Sequence, residues 1–362
     1  MLNSRLKSVF CGCIAVLLGV LGSFCLIVRA SASDNLKQDL SFAAAALMMP
    51  ESGTMTNKTR DEATPDTEKP RPQSTTPTTS LAATFDQPPA SDADVDLHEN
   101  EPHYPVIETR FGESGVSCDN FYIKDSMDMG TDFEKLLRLP LGFDFENNDE
   151  VQVLIFHTHT TESYLEYDEG YYHESFYPRS EDSSKNMISV GAQIVKALKA
   201  QGIGAIQATE VHDSPEYTGA YDRSWLTISQ YMEKYPSIKV VIDIHRDSIA
   251  GDSGSKVKPT FEVNGRKAAQ IMIMSGCDLD GSYGFPDWEY NLRFALKLQK
   301  YAEDMYPGMT RPLYFGDFAY NMPISRGSVL IEVGTDVNTV SEAQFTGELL
   351  GNVLAKVLQS EG

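Results

Sequence analysis

Two hydrophobic periods alternate along the C-terminal part of the chain. Residues 151–156, 239–244, 270–274 and 328–333 read "VQVLIF", "KVVIDI", "QIMIM" and "SVLIEV". Short, nearly unbroken apolar runs of this kind suit strands covered on both faces. Between them the apolar positions recur every three or four residues. Over 183–201 the stripe is Met187, Val190, Ile194, Val195 and Leu198, with serines at its start and Gly202 after its end, which predicts a helix. The same spacing predicts helices over 221–234, ending near Pro236, over 287–306 with Leu292, Phe294, Ala295, Leu298 and Tyr301, and over 341–358. Residues 203–208 form a further short strand, and 118–145 a small strand-and-helix lead-in beside the sheet. Strands alternating with helices imply an α/β fold, a mostly parallel sheet flanked by helices. There are no internal repeats.

The N-terminal part follows neither period. Residues 9–28, "VFCGCIAVLLGVLGSFCLIV", are 20 residues without a charge, enough at about 1.5 Å per residue to span a hydrocarbon core of roughly 30 Å. Arg5 and Lys7 precede this run, so the start of the chain is expected in the cytoplasm and the remainder outside. A cleaved signal peptide is the rival reading, since Ala30 and Ala32 lie in "RASAS"; the apolar run is longer than the core of a usual signal. From 51 to about 101 Pro, Thr, Ser, Asp and Glu dominate. Apolar residues there are too sparse to offset ordering entropy, so the segment reads as a disordered tether. With about 70 residues its root-mean-square reach is about 50 Å. The expected organisation is a cytoplasmic start and transmembrane anchor at 1–30, a linker at 31–103 and one extracytoplasmic domain at 104–362. The expected location is the cell membrane, by a single pass.

Composition adds two exclusions. A formal charge of -22 over 362 residues argues against a nucleic-acid partner, because phosphate backbones require Lys and Arg. Outside the anchor only Cys118 and Cys277 remain; this is neither a disulfide framework nor a cysteine metal site, and whether the two pair is left open.

The chemistry gathers where apolar runs end. "VLIFHTHTTESY" (153–164) leads into His157, His159 and Glu162, and strand alternation would point both histidines to the same side. "KVVIDIHRDS" ends in His245, Arg246 and Asp247, and "SVLIEVGTD" carries Glu332. In open α/β sheets ligands bind outside the carboxyl ends of the strands, so these runs would bring ionisable groups to one edge. Each has a bland alternative: a hydrogen-bonded histidine, or a salt bridge from Glu332 to Arg326 or Arg246. Imidazoles plus one carboxylate suit zinc and leave a position for water. A second carboxylate could then shuttle the proton, and the chain offers Glu162 and Glu332. Asp243, two residues before His245, could orient its ring. Arg246 could stabilise a developing oxyanion or hold a peptide carboxylate, or merely pair with Asp247. Arg223 reads as an ion-pair partner, the tyrosine-rich loop 164–178 as a groove wall or a self-packed surface loop, and His173 and His212 as surface histidines.

"VLIFHTHTTESY", "VVIDIHRDS" and "SVLIEVGTDVNTVSEA", in this order behind an anchor and tether, resemble the stage II sporulation protein P family over residues 104–362. That family is similar in fold to zinc-dependent N-acetylmuramoyl-L-alanine amidases. The resemblance implies hydrolysis of the amide between N-acetylmuramic acid and the stem peptide of peptidoglycan, with possible endopeptidase cleavage of crosslinks, during forespore engulfment beside stage II sporulation proteins D and M. A crosslink endopeptidase and a non-catalytic wall-binding scaffold are the competing readings. Carried over by position, the zinc histidines fall on His159 and His245 and the catalytic glutamate on Glu332. The ligand carboxylate of such amidases opens the first helix, where this chain has about Ser184. Glu162 is its expected stand-in, with His157 in reserve and Glu181 third, and Arg246 is the accompanying catalytic candidate.

Overall fold

The computed structural model describes residues 101–146, 148 and 150–361. The expected anchor and all but the last residues of the expected linker lie outside the described residues. Among the described residues no helix is long and apolar enough to cross a membrane.

In chain order, β1 (His103–Thr109), β2 (Val116–Cys118), β3 (Phe121–Asp125) and α1 (Phe133–Arg138) precede β4 (Val153–Phe156), β5 (Tyr171–His173), α2 (Met187–Ala200), β6 (Ala205–Gln207), α3 (Ala220–Lys234) and β7 (Val240–Asp247). Then follow β8 (Lys256–Val263), β9 (Arg266–Ala269), β10 (Ile271–Cys277), α4 (Trp288–Met305), β11 (Leu313–Asp317), β12 (Gly327–Thr335) and α5 (Val340–Glu361). Every helix and strand expected within the described residues has a counterpart within a few residues. The helix expected from Ser183 begins at Met187, because Asn186 supplies the cap: its side chain accepts from the backbone N–H of Ile188.

The main sheet has the order β2-β3-β11-β10-β12-β7-β4-β6. It is only partly the parallel sheet expected. One parallel block is β3, β11 and β10, the other β12, β7, β4 and β6, and they meet antiparallel at β10 and β12. The reversal has a local cause. Parallel strands need a long crossover, whereas β11 reaches β12 through a short stretch holding only a 3-10 turn at Met322–Ile324. A second sheet, β5-β1-β8-β9, is not foreseen by the hydrophobic pattern.

Alternation along β7 and β12 sorts the side chains. Val240, Ile242 and Ile244 of β7 and Val329, Ile331 and Val333 of β12 join the principal core with α2, α4 and α5. Gly347 and Gly351 let α5 lie against α2: a Cβ on either would stand 2.7 Å from the carbonyl oxygen of Val190 or Ile194. The opposite face carries Leu154, Phe156 and Val241 against Ile228 of α3, and Leu330 with Met272 and Met274. Asp243, His245 and Glu332 share that second face. Since Glu332 is in register with His245 on the adjacent parallel strand, the two stand side by side. Cys118 and Cys277 are both buried and free.

Candidate metal centre

After Phe156 the chain leaves β4 in a series of turns held by threonines. Thr158 donates from its N–H (2.9 Å) and its hydroxyl (2.7 Å) to the Asp243 carboxylate. Thr160 Oγ1 contacts the carbonyls of His157 and Glu210, and Thr161 donates to Asp213 from backbone and side chain. The Glu162 N–H bonds the His159 carbonyl at 3.1 Å, so the turn sets His159 and Glu162 on one side. Glu162 lies between two imidazoles, with Oε1 3.4 Å from His159 Nδ1 and Oε2 3.4 Å from His245 Nδ1. The two rings have centroids 4.9 Å apart. One donor atom from each of the three residues falls within 4.8 Å of the others, and all three residues are buried.

The polar surroundings favour a charged ligand set. Burial alone would raise the Glu162 pKa, but Arg246, His159 and His245 hold it well below the usual carboxylate range. The Arg246 N–H also donates to Glu162 Oε2 at 3.2 Å. Asp243 Oδ1 stands 2.9 Å from the far nitrogen of His245, the carboxylate–histidine arrangement that orients metal-bound imidazoles. Glu332 is fully buried, and among the described residues neither of its carboxylate oxygens has a hydrogen-bond partner. Its pKa is pushed up to about 8, by burial first and then by Asp247 and Glu162, against His245 and Arg311. Two imidazoles, one ionised carboxylate and an unspent buried carboxylate beside them fit a divalent cation; buried charges of this kind are otherwise costly.

A Stage II sporulation protein P profile matches residues 32–355. The chain belongs to that family. Stage II sporulation protein P of Bacillus subtilis (strain 168) is 28% identical over 220 residues, which is 58% of this chain and 51% of that protein, so the match spans about half the relative's length. Among solved structures, an N-acetylmuramyl-L-alanine amidase from Mycobacterium smegmatis aligns at 14% identity and a TM-score of 0.36, covering 59% of this chain and 99% of that one. An amidase from Clostridioides difficile, solved with the GerS lipoprotein, aligns at 9% identity and 0.35, covering 57% and 98%. Scores this low carry no argument about activity.

Several expected side chains lie elsewhere in this family member. His157 does not share a side with His159, because the strand ends before it. Its Nδ1 faces the Ile244 carbonyl at 3.1 Å and its Nε2 faces Gln207 at 2.9 Å, which removes it as the reserve ligand. Glu181 is exposed and engaged by the Ser214 hydroxyl. Arg246 alternates with His245 and so points to the other face of the sheet. Its Nη2 and Nε donate to the carbonyls of Pro178 (2.7 Å) and Ser163 (3.3 Å), so the guanidinium ties a loop and is not free to meet an oxyanion. Arg326 pairs with Asp287, not with Glu332. Arg223 bonds backbone carbonyls of His212, Glu216 and Thr218 rather than an acid. His212 is buried, not on the surface, between the His157 carbonyl and Thr227. Sequence reasoning missed Arg179 and Tyr217: Tyr217 stacks on the His159 ring at 4.6 Å, and Arg179 sits over Tyr217 at 4.7 Å while pairing with Asp213 at 2.5 Å. No spacing signal marks either residue.

Proposed function

We propose that this chain is a membrane-anchored, zinc-dependent peptidoglycan hydrolase that cleaves the amide between N-acetylmuramic acid and the stem peptide. The observation that carries the reading is the convergence of His159, Glu162 and His245 beside the unpartnered, buried Glu332. Family membership supports a role in sporulation, with engulfment, stage II sporulation proteins D and M as partners, and the segment at 9–28 as the anchor holding the domain outside the cell. A bound zinc ion supplies polarisation of the scissile carbonyl and a more acidic water. His159, Glu162 and His245 hold the ion, and Asp243 keeps the His245 ring turned toward it. Glu332 accepts the proton of the attacking water and passes it to the leaving nitrogen. Burial first, then Asp247 and Glu162, sets the Glu332 pKa at about 8, and a cation held beside it would lower that value. Arg246 contributes through Glu162, keeping the ligand carboxylate ionised.

The test incubates the protein with purified sacculi, with and without chelator, and identifies released fragments by mass spectrometry. Free stem peptides are the expected product. Uncrosslinked disaccharide-peptides alone would show an endopeptidase, and no release a scaffold. His159→Ala and His245→Ala should each abolish release; full activity in either refutes the ligand set.

A further inference from the structure

Amide hydrolysis builds negative charge on the carbonyl oxygen, and a fixed hydrogen-bond donor aimed at that oxygen accelerates it. The obvious cationic donors near the metal centre are engaged. Arg246 is spent on the Pro178 and Ser163 carbonyls, and Arg179 on Asp213. A neutral donor beside both imidazoles, its hydroxyl unpaired among the described residues, is Tyr221, in the first turn of α3. Its ring centroid lies 5.5 Å from that of His159 and 6.5 Å from that of His245, and on another side it stacks on Tyr320 at 5.2 Å. The ring is thereby wedged and has little freedom to swing. Its hydroxyl oxygen is shielded from solvent and has no hydrogen-bond partner among the described residues, a costly state for a polar group. Burial first, then Tyr320, Asp243, Glu332 and Glu162, raise the phenol's pKa. A phenol, with an ordinary pKa near 10, keeps its proton at neutral pH and can donate without being consumed.

We propose that Tyr221 is a catalytic residue whose phenolic O–H donates a hydrogen bond to the carbonyl oxygen of the scissile amide as that oxygen becomes negative. The inference rests on the amide-hydrolase reading above. No proton leaves the tyrosine: the O–H bond persists while water adds to the carbonyl carbon and the C–N bond breaks, and Glu332 carries the proton to the nitrogen.

The test is Tyr221→Phe in the full chain, which preserves the ring and its stacking partners and removes only the oxygen. Release of stem peptides is expected to fall about 10²- to 10³-fold in kcat, with KM within about twofold and bound zinc unchanged. Calorimetry supplies a readout independent of turnover. The probe is a phosphinate analogue of the muramoyl–alanine amide, with tetrahedral phosphorus in place of the carbonyl carbon. Tyr221→Phe should weaken its binding at least about tenfold and leave affinity for the product stem peptide intact. Equal analogue affinity in variant and wild type overturns the proposal, as does an equal loss for analogue and product, which marks mere packing. A wild type that binds the analogue but releases nothing from sacculi overturns the hydrolase reading and the tyrosine's catalytic role with it, whereas unequal release with equal analogue affinity overturns the tyrosine alone. A wild type that binds no analogue overturns both.

Discussion

Asp243→Asn probes the candidate metal centre without touching His159, Glu162 or His245. Asp243 is 3% exposed; its two oxygens accept from the Thr158 N–H at 2.9 Å and the Thr158 hydroxyl at 2.7 Å, and Oδ1 stands 2.9 Å from His245 Nε2 as a charged neighbour. Asparagine has the same shape. Its oxygen can still accept from the Thr158 N–H, and the Thr158 hydroxyl can turn to accept from the new amide. What is lost is the negative charge behind His245. Losing such an outer partner typically weakens metal binding about 10- to 100-fold, or about 1.4 to 2.8 kcal/mol. Asp243→Ala differs, because it strands the buried Thr158 N–H, at about 1–3 kcal/mol, and leaves the Thr158 hydroxyl only Ser224 to bond. Zinc affinity is measured by competition with a chromophoric chelator, and fold stability by urea unfolding of the metal-free protein. The expected result is weakened zinc binding in both variants, with a clearly lower urea midpoint only for alanine. Zinc affinity within about twofold of wild type for Asp243→Asn would refute the assignment, because a spectator charge loses none of the factor expected of an outer partner.

Glu332→Gln should keep zinc and lose release of stem peptides by about 10²- to 10⁴-fold; retained activity, read by mass spectrometry of digested sacculi, removes Glu332 from the proton path. Chelation should abolish release and added zinc restore it, and a chelator-resistant rate counts against the metal. Lys258 is buried against Glu342 (3.1 Å) and Asp168 (2.8 Å), so Lys258→Met, which leaves the buried Glu342 its hydrogen bonds from Asn338 and the Thr339 N–H but removes this cation, should destabilise by about 3 kcal/mol. The pH dependence follows from the same cluster. Against the opposing effect of burial, Lys267, Thr260 and Lys258 hold the Glu108 pKa below its ordinary value, and Lys258 with Lys267 does so for Asp168. Depressed folded values mean that this stability is complete above the unfolded pKa values and is lost as pH falls through the folded ones. Lys258→Met should therefore flatten the acid limb of urea midpoints, and parallel limbs would contradict the pairing. Gly265→Ala should destabilise by about 1–2 kcal/mol, since Gly265 has φ +76 with nothing within 4 Å of an added Cβ; an unchanged melting curve would deny that backbone its left-handed conformation.

The legible parts of this protein are those written in local chemistry. Runs such as "KVVIDI" and "SVLIEV" are buried on both faces because helices cover one side of the sheet and α3 with the cluster of Leu330, Met272 and Met274 fills the other, and a chain with that fate has no polar period to show. The hairpin of β8 and β9 was equally local: Asn264 and Gly265, both at positive φ, are the strongest short-range turn signal a hairpin offers, yet the charged residues around them obscure the strands they join. The reversal between β10 and β12 depends on how long a connection is, which no residue type encodes. The metal centre divides the same way. Alternation places His157 beside His159 only while the chain stays extended, and four residues of Thr-rich turn break that assumption. The turn is also what brings Glu162 between the two imidazoles. It lies three residues after His159, on a single tight loop, a placement that no helix start could foretell. Thr158, Thr160 and Thr161 read as filler around two histidines, but Thr158 is bonded to β7, and Thr160 and Thr161 to the segment between β6 and α3, at Glu210 and Asp213. Their hydroxyls determine where His159 and Glu162 end up, so the spacing of the acid relative to the histidine is a property of the threonines as much as of the ligands themselves.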